Sequence, residues 1–331
     1  MNPERKSTRS SYVKRLLPWL VSLSIIVFLF SRIDYVMFLE SLEVAELSVY
    51  VPLVILFVFI WFYVETYNVQ KLYSYFGHPV DYLTMLSIRG GTFLLMIINY
   101  GLGAGAIAMY LKRLYGVGLL RSTGILFYYM VVESAGIAFL AVAGFLLAGQ
   151  SSGIAWWVLY LASGLFLFYN VEIVLLKYIP ALGFLRRFVN SSILAPIRES
   201  SLSIYAKIFL QRTFYFLTFV VFFYFAVRAF HMEIPFLTLA ALVPIIFFVG
   251  NLPITPFGLG TIQAAMLYFF KDFGTPANIL AMSLVYTVSL MILRAMIGIY
   301  YLRTAANLLV DGEKDELNTC GAGVADGGGS L

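Results

Sequence analysis

The chain has 331 residues, of which 61% are hydrophobic and 12% charged, and its mean hydropathy is +0.90. Soluble domains are about half apolar and about a quarter charged, so this composition excludes a soluble globular protein and predicts an all-α polytopic membrane protein. The net charge is +5, and the chain has no sequence feature that predicts a nucleic-acid partner.

Metal and disulfide chemistry have little support in the chain. A single cysteine, Cys320, excludes an internal disulfide and a cysteine-rich metal site, and the two histidines, His78 and His231, argue against a histidine metal cluster. The sequence contains no Walker-type loop, no His-Glu-x-x-His and no Gly-x-Ser-x-Gly. We therefore predict no metal, no cofactor and a protein that is not an enzyme.

The chain begins with a basic segment at residues 1–15, and the apolar run 16–30 follows it. This order also occurs in signal peptides, which leaves a cleaved leader as the alternative. The next residues, SRIDYVMFLE, contain no small-residue cleavage site. We predict a retained first helix with a cytoplasmic N-terminus.

Apolar runs continue along the rest of the chain. The runs long enough to cross a bilayer, about 20 residues each, are 16–38, 48–69, 122–148, 154–176, 205–230 and 276–302. Two further runs, 83–111 and 235–270, are interrupted by glycine or proline. The sequence predicts one transmembrane domain over 16–309 and a polar tail over 310–331, whose composition has too little apolar surface to fold.

Charge placement indicates how the two interrupted runs cross the membrane. If each enters and returns on the same side as a re-entrant hairpin, most cations fall on the cytoplasmic side and most acidic loop residues fall outside, as the positive-inside tendency requires. The cytoplasmic set is Lys71, Arg89, Lys112, Arg113, Arg121, Lys177, Arg186, Arg187, Arg198, Lys207 and Arg303, and the exterior set is Asp34, Glu40, Glu43, Glu46 and Glu233. We predict about six full spans plus two hairpins, with eight full spans as the alternative.

The two interruptions resemble each other in sequence. Residues 100–109 read YGLGAGAIAM and residues 257–266 read FGLGTIQAAM. With the flanking spans, they predict two inverted repeats at about 48–148 and 205–302, a plan that recurs in secondary transporters with broken helices. The alternative is that both glycine-rich breaks serve helix packing alone.

The residues of the breaks suit a polar site. Backbone that leaves the helix at membrane depth is tolerated where protein buries it or water reaches it. Gly258 and Gly260 permit a tight turn, and a helix starting near Thr261 would offer its N-terminus to an anion. Gly101, Gly103 and Gly105 are expected to act alike in the first break. The uncharged polar residues that can line this site are Asn99, Asn251, Thr255, Thr261 and Gln263.

Ionisable residues inside spans mark a functional pathway by default. Arg89, Arg212 and Arg294 are expected to bind phosphate oxygens, and Glu133 to pair with one of them in the empty site. The alternative is structural ion pairs or side chains that reach the interface. Glu65 and Glu172 lie near span ends, where an interfacial position is expected.

The stretch NLPITPFGLGTIQAAMLYFF, together with NYGLGAGAIAMYLKRLYGV and Glu133, resembles the lysylphosphatidylglycerol synthase transmembrane region family over about residues 15–305. The resemblance implies a flippase-like integral membrane protein. Phe257 stands where many members have glycine, and Thr261, Ile262 and Gln263 replace a run ending in Arg-Glu, which puts substrate details in doubt. The resemblance covers the transmembrane region and not the soluble aminoacyl-transfer domain of the bifunctional synthases, so it does not imply aminoacylating activity.

These observations predict a multi-pass protein of the cell membrane with both termini in the cytoplasm. It would translocate an anionic lipid, a phospholipid or a polyprenyl phosphate, through a polar groove between the two hairpins. The alternatives are an intramembrane enzyme or enzyme subunit acting on lipid-linked sugars, and a membrane scaffold. The oligomeric state is left open, and a homodimer is compatible with the sequence.

Overall fold

The structure is a computed structural model that describes residues 23–24, 27–29, 31, 35–98, 100–148, 156–178, 191–251, 255 and 258–325, with the backbone alone at 98, 100, 177–178, 251 and 309–325. The described part is helical and contains no strand, which confirms the all-α class. Its helices are α1 (Tyr35–Val44), α2 (Leu47–Tyr75), α3 (Tyr82–Ile98), α4 (Tyr100–Tyr115), α5 (Leu119–Ala148), α6 (Trp156–Tyr178), α7 (Ala195–Glu199), α8 (Leu202–Ala229), α9 (Phe236–Asn251), α10 (Thr261–Phe269) and α11 (Pro276–Ala325).

Five of the predicted spans are confirmed as helices long and apolar enough to cross a membrane. They are Leu47–Tyr75, Leu119–Ala148, Trp156–Leu176, Leu202–Ala229 and Pro276–Leu308. Of the predicted first span, 16–38, residues 16–22, 25–26, 30 and 32–34 lie outside the described residues, so this span stays a prediction. The protein is therefore a multi-pass membrane protein, while its orientation stays a prediction.

The first interrupted run forms a helical hairpin. α3 and α4 have 17 and 16 residues, about 25 Å each at 1.5 Å per residue, which is less than the roughly 30 Å of a bilayer core. Gly103 of α4 packs against Met96 of α3, where a Cβ would overlap the Met96 side chain. Residues seven apart in one helix are about 10 Å apart, so α3 and α4 fold back on each other, and the alternative of an unbroken span is wrong here.

The second interrupted run also folds back. α10 has nine residues, about 14 Å, and is too short to span a bilayer. Gly250 of α9 lies against Ile262 of α10, where an added Cβ would stand 2.6 Å from the Ile262 side chain. In a continuous helix these residues would be about 18 Å apart. Eight full spans are therefore excluded by both hairpins.

The glycines of the two breaks have different roles. Gly258 and Gly260 adopt φ values of 70° and 91°, which only glycine adopts readily, so the predicted turn is confirmed. Gly101, Gly103 and Gly105 belong to helix α4 and are not among the glycines with positive φ, so the expectation that they also form a turn is wrong. Gly103 instead permits the close packing of α3 and α4.

The C-terminal segment departs from the sequence expectation. We predicted a polar tail without folded structure after residue 309, whereas α11 continues to Ala325. Extending an existing helix needs no new nucleus, so each added residue gains a hydrogen bond at low cost. The run Glu313 to Leu317 consists mostly of good helix formers and favours this extension.

The chain divides into two compact units that interleave along the sequence. The first contains the described residues within 1–62, 131–173 and 206–293, and the second contains those within 63–130, 174–205 and 294–331. The α3–α4 hairpin belongs to the second unit and the α9–α10 hairpin to the first. Of the described charges predicted to be cytoplasmic, Lys207 alone lies in the first unit, while the acidic Glu40, Glu43, Glu46 and Glu233 all do.

Within the second unit, glycines bring α3 close to α11. A Cβ on Gly90 would overlap the Tyr301 side chain, and a Cβ on Gly298 would stand 2.7 Å from Leu94. Small residues at such crossings allow helices in membranes to approach closely. These contacts place α3 directly beside α11.

We expect Gly90→Ala to destabilise the protein by about 1–3 kcal/mol, because the added methyl group overpacks this crossing. Gly105→Ala is the matched control, since Gly105 lies in α4 with no heavy atom within 4 Å of an added Cβ. There alanine should stabilise by about 0.5–1 kcal/mol through its helix propensity. Thermal unfolding in detergent measures both, and equal effects of the same sign would contradict the packing assigned to Gly90.

Candidate functional site

A direct ion pair joins two helices of the first unit. Nη2 of Arg212 on α8 lies 2.6 Å from Oε1 of Glu133 on α5, and the Arg212 side chain is 2% exposed. The guanidinium also lies over the Tyr215 ring, with its Cζ 4.1 Å from the ring centroid. The predicted pairing of Glu133 with an arginine is confirmed, with Arg212 as the partner.

A second group of buried polar side chains lies in the second unit, and we call it the Glu65–Arg89 cluster. It consists of Glu65 and Asn68 on α2, Arg89 on α3 and Tyr129 on α5. Nη1 of Arg89 lies 3.9 Å from Oε1 of Glu65, and the Tyr129 hydroxyl donates to Oε2 of Glu65 at 3.3 Å. The two opposite charges are thus close enough to attract each other, but the atoms are too far apart to form a hydrogen bond.

Two donors in this cluster have no hydrogen-bond partner in the described part of the chain. They are Nε of Arg89 and Nδ2 of Asn68. Both residues are buried, with 5% of Arg89 and 3% of Asn68 exposed. Asn68 lies three residues after Glu65, so both occupy the same face of α2. Buried donors are nearly always paired, and these two therefore indicate a place for an acceptor.

A second arginine lies near this cluster. Cζ of Arg294 on α11 stands 5.8 Å from the centroid of the Phe93 ring. Phe93 follows Arg89 by four residues on α3, so the two side chains share one face of that helix. Arg89 and Arg294 thus reach the same region of the second unit from two helices.

The threonines of the second break hold its turn. The hydroxyls of Thr255 and Thr261 lie 3.1 Å apart, and the Thr261 hydroxyl donates to the carbonyl of Gly258 at 3.0 Å. Both threonines are buried. Their hydrogen bonds are made within the hairpin itself.

Gln263 is also engaged by the chain. Its Oε1 accepts the backbone N–H of Gly260 at 2.6 Å, and its Nε2 donates to the hydroxyl of Thr287 at 3.0 Å. The side chain therefore caps the start of α10 and ties it to α11, and the residue is fully buried. A role of Thr255, Gly258, Gly260 or Gln263 in ligand binding stays a prediction.

The predicted site residues therefore fall into separate groups. Glu133 and Arg212 meet directly, Arg89 and Arg294 reach one region of the second unit, and the residues of the second break bond to each other. Gly101 is exposed in α4, Asn251 ends α9 with its backbone alone described, and Asn99 lies outside the described residues.

Sequence reasoning missed Asn68 and Tyr129, and it misplaced Glu65. We expected Glu65 at the interface because the predicted span ended at Val69, but α2 continues to Tyr75 and Glu65 is 5% exposed. A usable signal was present, since Glu65 and Asn68 are polar residues three apart on one face of an apolar helix.

The chain contains helices that fold back as hairpins and charged side chains that are buried within apolar helices. Both features are typical of polytopic membrane proteins that hold a polar site inside the membrane. The chain belongs to the lysylphosphatidylglycerol synthase transmembrane region family, whose model matches residues 15–298. This range agrees with the resemblance drawn from the breaks, and membership indicates a lipid-related function in the membrane. No curated protein matches the chain.

Proposed function

We propose that this protein is a flippase-like transporter that moves an anionic, phosphate-bearing lipid across the membrane and binds the headgroup at the Glu65–Arg89 cluster. The observation that carries the proposal is the pair of buried donors on Arg89 and Asn68 without partners in the described chain. An unmet buried donor costs about 1–3 kcal/mol. Phosphate oxygens would meet both donors, and a guanidinium group suits them well.

The charges near the Glu65–Arg89 cluster support an anionic ligand. Arg89 and Arg294 bring two guanidinium groups to this part of the second unit. A guanidinium group suits phosphate oxygens through two-pronged hydrogen bonds, and both a phospholipid and a polyprenyl phosphate offer such oxygens.

The folded-back hairpins support transport rather than simple binding. Helices broken at membrane depth recur at the substrate sites of secondary transporters, and the two breaks here occur in corresponding positions of the predicted repeats. With no nucleotide-binding motif in the sequence, the driving force would be an ion gradient or the lipid gradient itself. The groove between the hairpins stays a prediction.

We expect Arg89→Ala to lower the rate of lipid movement about tenfold to a hundredfold, because a charge-assisted hydrogen bond contributes about 1.5–3 kcal/mol. The full-length protein would be reconstituted into phosphatidylcholine vesicles that contain phosphatidylglycerol with a fluorophore on one acyl chain. Quenching of the outer leaflet by dithionite then reports movement between leaflets. Parallel vesicles would carry labelled phosphatidylcholine or labelled polyprenyl phosphate.

Arg113→Ala is the matched control, since Arg113 is an exposed arginine at the end of the same hairpin. It should keep the wild-type rate, and Arg89→Lys should keep part of it. Wild-type protein that moves none of the labelled lipids would contradict the transporter. A new product formed from a lipid-linked sugar would instead favour the intramembrane enzyme.

A further inference from the structure

Residues 191–201, which we call the strap, lead directly into α8 and pack on the start of α5. Pro196 and Ile197 of the strap are buried. A Cβ on Gly124 of α5 would overlap the carbonyl of Ile193, so the strap backbone lies directly on this helix. The strap is therefore held against α5 by close backbone packing as well as by buried side chains.

Two polar contacts fasten the strap to α5. The hydroxyls of Tyr128 and Ser200 lie 2.6 Å apart. Arg121 donates through Nη1 and Nη2 to the two carboxylate oxygens of Glu199, at 3.0 and 2.8 Å. The second contact is bidentate and fixes the plane of the guanidinium.

His78, in the loop between α2 and α3, holds the same guanidinium from the other side. Nε–H of Arg121 donates to Nε2 of His78 at 3.2 Å. Nε2 can accept only when it carries no proton, so the contact requires the neutral imidazole with its proton on Nδ1. One arginine thus joins the α2–α3 loop, α5 and the strap.

Protonation of His78 would remove this acceptor and place a second cation against Arg121. Burial lowers the pKa of His78, the charge of Arg121 lowers this pKa further, and Glu199 opposes both. The charged groups around the contact are Arg121 on α5, Arg198 and Glu199 on the strap, and Asp81 in the same loop as His78. Oδ2 of Asp81 accepts a hydrogen bond from the backbone N–H of Thr84.

We propose that the attachment of the strap to α5 depends on the protonation of His78. The attachment is intact while His78 is neutral and weakens when His78 takes up a proton. The sign follows from the lowered pKa of His78. The contact is intact above the ordinary imidazole range and weakens as the pH falls below it. Because the strap leads into α8, acidification would free the start of the helix that carries Arg212. This regulation does not depend on which lipid the protein moves.

Hydrogen–deuterium exchange with mass spectrometry on the full-length protein in lipid nanodiscs tests the proposal. Peptides from the strap would be compared between wild type and His78→Gln at the same pH, so that the intrinsic pH dependence of exchange cancels. Glutamine keeps an acceptor but does not titrate. The two proteins should exchange alike at about pH 7.5, and wild type should exchange roughly threefold faster or more at about pH 5.

His231→Gln is the matched control, since His231 is the chain's other histidine, and it should follow wild type at both pH values. Glu199→Ala should exchange quickly at both. If His78→Gln does not fold, as judged by exchange in α2, His78→Asn replaces it. A ratio of wild type to variant that is the same at both pH values would overturn the proposal, and so would slow exchange in Glu199→Ala.

Discussion

Replacing Glu133 by alanine should lower the free energy of unfolding by about 3–5 kcal/mol, the usual cost of removing one partner of a buried ion pair. The reason is that the Arg212 side chain, 2% exposed, would keep its charge without the carboxylate 2.6 Å away. Equilibrium unfolding in mixed micelles measures the change. The effect falls on a contact between α5 and α8, so it should appear in the global transition.

Three variants separate this explanation from a general loss of packing. Glu133→Gln keeps an acceptor and should cost less than alanine. The double variant Glu133→Ala, Arg212→Leu should recover much of the loss, because apolar residues often replace a buried pair without penalty. Glu199→Ala breaks an exposed pair and should cost about 0–1 kcal/mol. If Glu133→Ala costs no more than Glu199→Ala, the buried pair does not contribute as argued.

Gly258→Val should cost about 2–5 kcal/mol and abolish the proposed lipid movement. The φ of 70° is left-handed, which costs a residue with a Cβ about 1–2 kcal/mol. The same Cβ would stand 2.7 Å from Cδ1 of Ile262 and 3.0 Å from the carbonyl of Gly250, and such overpacking adds about 1–3 kcal/mol. The α9–α10 hairpin would open at its turn.

Gly116→Val separates the two contributions. Gly116 also has a left-handed φ, 65°, but no heavy atom lies within 4 Å of an added Cβ. Valine there should cost only the conformational part, about 1–2 kcal/mol, and lipid movement should persist. Thermal unfolding and the dithionite assay on both variants give the comparison. Normal lipid movement by a folded Gly258→Val protein would rule out a requirement for this turn.

Hydropathy was sufficient to place most of the membrane helices. The run 122–148 became Leu119–Ala148, and 205–230 became Leu202–Ala229, because a bilayer accepts only long apolar segments whose backbone is satisfied internally. Helix ends were less accurate, since polar turns can extend a helix beyond the bilayer. The six residues by which α2 exceeds the predicted span moved Glu65 from the expected interface to the interior.

The repeated glycine motif shows a different limit of prediction from sequence. YGLGAGAIAM and FGLGTIQAAM share their glycine spacing, and each belongs to a hairpin. The glycines at 258 and 260 form the second turn, while those at 101 and 103 lie inside α4. The backbone angle of a glycine depends on where the neighbouring helix ends, and glycine itself permits both conformations.

The sequence alone determined the membrane class, five of the spans and the two places where helices break, because apolar length and glycine or proline content act locally along the chain. The tertiary structure alone decided which charges meet. Glu133 lies 2.6 Å from Arg212, whereas Glu65 and Arg89 remain 3.9 Å apart with donors left over. These distances depend on how closely helices far apart in sequence pack, and side-chain spacing along a single helix carries no information about that.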